Sequence, residues 1–168
     1  MRLRPSVLVL SLVVCAVALG AAAALPQAAA ASAPVRSYRG LGAWVDIYDA
    51  KAWDHPAAAV RDMAARGVRT LYLETANYHL PADSTMFRRA DAGRLIEEAH
   101  ARGIKVVAWY LPGFKDPARD YRRSVAAIRY RTPSGRRFDS FALDIEASIV
   151  KDVALRNSRL RALSRRIR

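Results

Sequence analysis

The sequence predicts an α/β fold in which helices cover a parallel sheet. Three observations carry this expectation. First, a unit recurs in which a helix-like stretch ends at Gly, a basic residue follows, and an apolar run begins. Arg66-Gly67-Val68-Arg69 leads into Thr70-Leu71-Tyr72-Leu73, and Arg102-Gly103-Ile104-Lys105 leads into Val106-Val107-Ala108-Trp109. A looser third copy, Ser134-Gly135-Arg136-Arg137-Phe138, precedes Phe141-Ala142-Leu143. Second, the glycines lie 36 and 32 residues apart, the length of one strand plus its return helix. Third, the apolar runs are nearly continuous rather than alternating, as in strands covered on both faces.

The N-terminus reads as an export signal. Arg2 and Arg4 form a positive start, Val7 to Leu19 an apolar stretch, and Ala29-Ala30-Ala31 and Ala31-Ser32-Ala33 offer small-x-small cleavage sites. This is the layout of a secretory signal peptide over 1–33, and it favours cleavage over an uncleaved anchor. A short linker, 34–39, and one domain over 40–168 are expected to follow. Cys15, the one cysteine, lies in the leader, so the mature chain relies on its core rather than on disulfides. No later segment has membrane-crossing length, so no stable membrane insertion is expected after cleavage.

Within the domain, strands are expected over 43–48, 70–75, 106–111 and 141–145. Asp54-His55-Pro56 opens a helix running to Arg66, with Pro56 in the tolerated first turn. Asp91 begins an amphipathic helix through Leu95, Ile96, Ala99 and His100, and Asp116-Pro117 opens another over 118–128. Gly67 and Gly103 fit the left-handed position past a helix end. Val153, Leu160, Leu163 and Ile167 fall at helical spacing in the tail.

Two architectures accommodate these units. One is an open doubly wound sheet; the other is a (β/α)8 TIM barrel of about 250 residues. The first strand–helix connection, Asp49-Ala50-Lys51-Ala52-Trp53-Asp54, carries no glycine-rich phosphate cradle, which counts against a nucleotide-binding doubly wound sheet. The reading adopted is the N-terminal half of a (β/α)8 barrel, four of its eight strand–helix units. On this reading the chain stops in the fourth helix, Arg168 is followed by a second half in the whole protein, and the four units alone are inactive. No cofactor is expected.

The formal charge is +13, which raises the question of nucleic acid or an anionic envelope polymer. Without Arg2 and Arg4 it becomes +11, from 26 basic against 15 acidic residues, and the tail from Lys151 to Arg168 supplies +6. Only four of the 28 basic residues are Lys. The tail arginines read as the solvated face of an amphipathic helix. A nucleic-acid partner is therefore not expected.

Parallel α/β folds place their sites at the carboxyl ends of the strands. Those ends carry Asp46, Glu74, Tyr110, and Asp144 with Glu146, and Trp44, Tyr48, Tyr78 and Trp109 lie beside them. If the fourth strand runs through 145, its period of two puts Asp144 and Glu146 on one face. Paired carboxylates cleave glycosidic bonds, and aromatic rings stack on sugar C–H faces. Each feature has a plainer reading: an aromatic in the core, a loop-capping aspartate, a glutamate paired with arginine. Their collection at one end of the sheet favours a site. His55, His79 and His100 have no metal-site spacing, and Ser140 and Ser148 sit in no nucleophile elbow.

The segment Phe138-Asp139-Ser140-Phe141-Ala142-Leu143-Asp144-Ile145-Glu146 resembles the strand-four signature of chitinase-type (family 18) glycosidases, D-x-x-D-x-D-x-E. Asp139, Asp144 and Glu146 match, and Ala142 stands where the middle aspartate belongs. That departure argues against substrate-assisted cleavage of N-acetyl sugars. Leu143-Asp144-Ile145-Glu146 and Asp46 also resemble family 25 lysozyme-type barrels. The runs Gly42 to Asp49 and Val107 to Gly113 resemble secreted glycosidase-like barrels of bacteria across residues 40–168. The resemblance implies a secreted glycoside hydrolase with Glu146 as general acid, Asp144 tuning it, and Asp46 as a second carboxylate. Trp44, Tyr48, Glu74, Tyr78, Trp109, Tyr110 and Asp139 would contact the carbohydrate substrate. A non-catalytic glycan- or cell-wall-binding barrel is the alternative.

Overall fold

The computed structural model describes residues 33–168. Apart from Ala33, the export signal expected from the sequence lies outside the described residues. Four strands, β1 (Gly42–Val45), β2 (Thr70–Asn77), β3 (Lys105–Leu111) and β4 (Ser140–Leu143), form one parallel sheet in the order β1-β2-β3-β4. The helices are α1 (Ala33–Arg36), α2 (Ala50–Asp54), α3 (Pro56–Ala65), α4 (Arg89–Ala101), α5 (Pro117–Ile128) and α6 (Val153–Arg166). The α/β alternation with a parallel sheet is as the sequence predicts.

Local chemistry explains where the elements begin and end. Gly67 and Gly103 take φ +79° and +70° after α3 and α4, the left-handed conformation that costs glycine nothing. Gly135 has φ +84° as well. It lies seven residues past α5, however, in a turn whose N–H bonds the Thr132 carbonyl at 2.9 Å. Asp116 and Asp152 cap α5 and α6, each side chain accepting a backbone N–H at 3.0 Å. The expected connection 49–54 folds instead as α2, which buries Trp53 completely. The break before α3 falls at His55, because the residue preceding proline is disfavoured in the α region.

Two strands are shorter than their apolar runs. β1 stops at Val45 because the Asp46 side chain accepts the Tyr48 N–H at 2.6 Å and turns the chain. β4 stops at Leu143, and the Asp144 side chain accepts the Glu146 N–H at 3.3 Å. β2 runs further than expected, to Asn77, with a register shift against β3 between Glu74 and Ala76. A bulge of this kind re-aims the side chains beyond it.

The core lies between one face of the sheet and the helices. Val45, Leu71, Leu73, Val106 and Ala108 pack against Trp53, Val60, Leu95, Ile96, Ala99 and Ala127. Strand periodicity puts Trp44, Tyr72, Glu74, Val107, Trp109 and Ala142 on the opposite face. That face is aromatic: Trp44 stacks on Tyr72 with centroids 4.4 Å apart and meets the Trp109 edge at 5.7 Å. The stretch expected as a linker is docked on the sheet. Thr70 Oγ1 donates to the Ser37 carbonyl, and the Tyr38 hydroxyl donates to the Phe141 carbonyl at the start of β4.

Candidate active site at the carboxyl ends of the strands

Glu74 is the centre of the site. It sits late in β2, immediately before the register shift, and is 2% exposed. Its Oε2 accepts the Ile47 N–H at 2.9 Å, tying the β1 exit loop to β2. Asn77, also buried, gives Glu74 a second hydrogen bond from its side chain. Burial pushes the Glu74 carboxyl up to about 7 against these two bonds, and the negative charges of Asp46 and Asp144 add to the rise. A carboxyl in this range holds its proton close to neutrality, as a general acid must. Glu74, late in β2, thus feels the carboxylates that follow β1 and β4 at one end of the sheet.

Asp46 and Asp144 are both half-buried. Asp46 follows β1 directly, and its carbonyl accepts the Trp53 indole N–H at 2.7 Å. Asp144 follows β4, its N–H bonded to the Tyr110 carbonyl at 2.9 Å. Each keeps carboxylate capacity after fastening its own turn, because each spends one oxygen on that turn.

Glu146 differs from its expected setting. It lies past the end of β4, on the loop, and is exposed. The shared strand face predicted for Asp144 and Glu146 therefore does not form; an Asx turn takes its place. Glu146 lacks the burial of Glu74.

The remaining expected residues occupy different settings. Trp44 is 62% exposed and Tyr48 70% exposed at the same end of the sheet. Trp109 is buried on the Trp44 face, in register with Glu74, and its indole N–H has no hydrogen-bond partner among the described residues. Tyr78 is half-buried beside His79, with ring centroids 4.1 Å apart. Tyr110 turns the other way. Fully buried, it donates its hydroxyl to Asp120 at 2.6 Å, and burial raises its pKa. Asp139 precedes β4, at the amino end of the sheet and away from the carboxyl centre. There it binds His100 Nε2 at 2.8 Å, the Val106 N–H at 2.9 Å and Lys105 at 3.1 Å. Burial opposes its ionisation, but these partners outweigh it and hold the carboxyl at about 2. Tyr110 and Asp139 thus have structural partners where substrate contacts were expected.

Sequence reasoning overlooked Asn77, Asp120 and Arg123. The signal for the last two was present: 120, 123, 124 and 127 form one stripe of α5, and all four are buried. A charged pair inside the inward stripe of a helix calls for buried partners. Among the described residues no group of His, Cys, Asp and Glu is arranged to hold a metal ion, and no helix is long and apolar enough to cross a membrane. Comparison with known families, with curated proteins and with solved structures finds no match.

Proposed function

We propose that this protein is a secreted glycoside hydrolase that cleaves a poly- or oligosaccharide by carboxylate acid/base catalysis. The observation that carries the reading is the buried Glu74, held protonated up to about pH 7 beside the carboxylates Asp46 and Asp144. Hydrolysis of a glycosidic bond requires this asymmetry, one carboxyl that gives a proton and one that stays charged. Glu74 donates to the leaving oxygen. Asp46 or Asp144 stabilises positive charge at the sugar carbon or activates its attacker. Glu146, at the exposed edge, contacts substrate rather than donating the proton. The four parallel strands with their helices are the first half of a (β/α)8 barrel in this reading. The leader-like sequence supports export.

The test pairs two substitutions in the full-length protein, scored by release of reducing ends from a panel of glycans. Glu74→Gln should lower turnover at least about 100-fold, the usual contribution of a general acid, with Glu146→Gln within a few-fold of wild type. The reverse ranking would return the acid role to Glu146. A second reading has its own support in the exposed Trp44 and Tyr48 and the unpartnered Trp109 N–H: a glycan-binding protein without hydrolysis. Calorimetric binding of a glycan that survives prolonged incubation uncut would decide for it.

A further inference from the structure

Arg123 is 1% exposed in the middle of α5; its guanidinium donates to four main-chain carbonyls and also lies against the Tyr110 hydroxyl. Nη1 donates to Asn77 at 2.7 Å, Nη2 to Leu80 at 2.8 Å and Pro81 at 2.7 Å, and Nε to Ser84 at 3.0 Å. All four acceptors belong to one segment, 77–84, the loop that leaves β2 three residues after Glu74. A buried guanidinium is costly unless its fork of donors is fully used. Here the loop itself solvates the charge, so loop and cation order each other.

The first of those carbonyls leads to the site. Asn77 gives its main-chain oxygen to Arg123, its side-chain oxygen accepts the His79 N–H at 2.9 Å, and its side chain bonds Glu74. The main chain and side-chain oxygen of Asn77 are therefore both held, and its amide nitrogen also reaches the Tyr48 hydroxyl at 3.5 Å. Tyr78, the next residue, packs its Cβ so close to Gly113 that a methyl there would lie 2.7 Å away. The β2 and β3 exit loops thus close on each other over the Arg123 clamp.

We propose that Arg123 is a positioning residue for the carboxylate centre, holding the 77–84 loop so that Asn77 stays bonded to Glu74. This rests on the reading of Glu74 as the proton donor. Arg123 touches no substrate. It acts through the loop, keeping the Asn77 donor in place. A lysine at 123 retains the charge but cannot span four carbonyls, because its single ammonium has three donors at one point.

The experiment follows the Glu74 carboxyl by carbon-13 NMR titration in the wild type, Arg123→Lys, Asn77→Ala and the double variant, with amide hydrogen exchange over 77–84. In Arg123→Lys the loop amides should exchange at least about ten-fold faster, and the Glu74 midpoint should rise by roughly one pH unit as the Asn77 bond that favours its ionised form is lost. In the Asn77→Ala background the Arg123→Lys shift should be at most half as large, because the relay is already cut. A folded Arg123→Lys protein with an unmoved Glu74 midpoint would overturn the proposal. If Arg123→Lys does not fold, Asn77→Ala alone decides: an unmoved Glu74 midpoint there removes the relay, and a moved one with slow exchange over 77–84 supports it. A wild-type Glu74 that titrates near 4.5 instead removes the proton-donor reading, a result separate from any response to Arg123.

Discussion

Glu74 has a stability signature as well as a chemical one. Its folded value of about 7 lies above the ordinary 4.5, so between these values the native state binds more protons than the unfolded chain. Stability contributed by this group is therefore present below about pH 4.5 and is lost as pH rises through 7. Glu74→Gln keeps an acceptor for the Ile47 N–H but carries no charge. We expect it to be more stable than wild type above pH 7, by an amount on the order of 2–3 kcal/mol at most, while losing activity. Denaturant melts at pH 5 and pH 8.5 check this, and equal pH dependence of the two proteins would refute it. At this scale the sequence was informative about position and less so about role. Asp46, Glu74 and Asp144 stood out because each ends an apolar run. That Glu74 is the buried one depends on the β2 bulge and the two loops above it, which no spacing reveals.

At the scale of elements, the Gly-basic-apolar repeat located three of the four strands; at β2 and β3 it reflects local physics, a left-handed glycine ending a helix and then a largely buried strand, whereas Gly135 before β4 sits in a turn past α5. It failed where a side chain competes with the sheet. Asp46 and Asp144 each draw a nearby N–H out of the ladder and end their strands early, so the face predicted for Glu146 was lost. The exit loops are tightly packed elements in their own right. Gly113 has the Cβ of Tyr78 and the Cδ1 of Ile149 each 2.7 Å from where a methyl would sit. Gly113→Ala should destabilise by about 1–3 kcal/mol, read as a fall in the denaturant midpoint with an unchanged slope. Asp120 offers a comparable test. It accepts the Tyr110 hydroxyl at 2.6 Å and the Phe114 N–H at 3.0 Å, and Phe114 holds φ +58°. Tyr110→Phe deprives a buried carboxyl of one of its donors, and a loss of about 1–3 kcal/mol is expected. A neutral result would mean that Asp120 finds its proton elsewhere.

For the whole molecule, the two ends of the sheet respond to acid in opposite senses. At the amino end Asp139 is depressed to about 2 from 3.8. Its contribution is present above about pH 4 and is lost as pH falls through 2. Asp139→Asn should therefore weaken the protein at pH 6, on the order of 1–2 kcal/mol, and make little difference at pH 2. A penalty that persists at pH 2 would point to lost packing instead of lost charge. The carboxyl end behaves as described for Glu74 and favours the acid side. The buried carboxyl at one end of the sheet is thus held charged and the one at the other end holds its proton, a division that composition alone does not disclose.

The three tryptophans occupy three unlike environments: Trp44 is 62% exposed, Trp53 is fully buried, and Trp109 is 8% exposed. The protein accordingly carries its own optical probe. A water-soluble quencher should reach Trp44 first and leave Trp53 untouched, so quenching resolves into an accessible and an inaccessible emission. Any molecule that settles on the Trp44 face will shield the accessible fraction and leave the other unchanged. Occupancy of that face can therefore be followed in unlabelled protein, before the identity of the bound molecule is known.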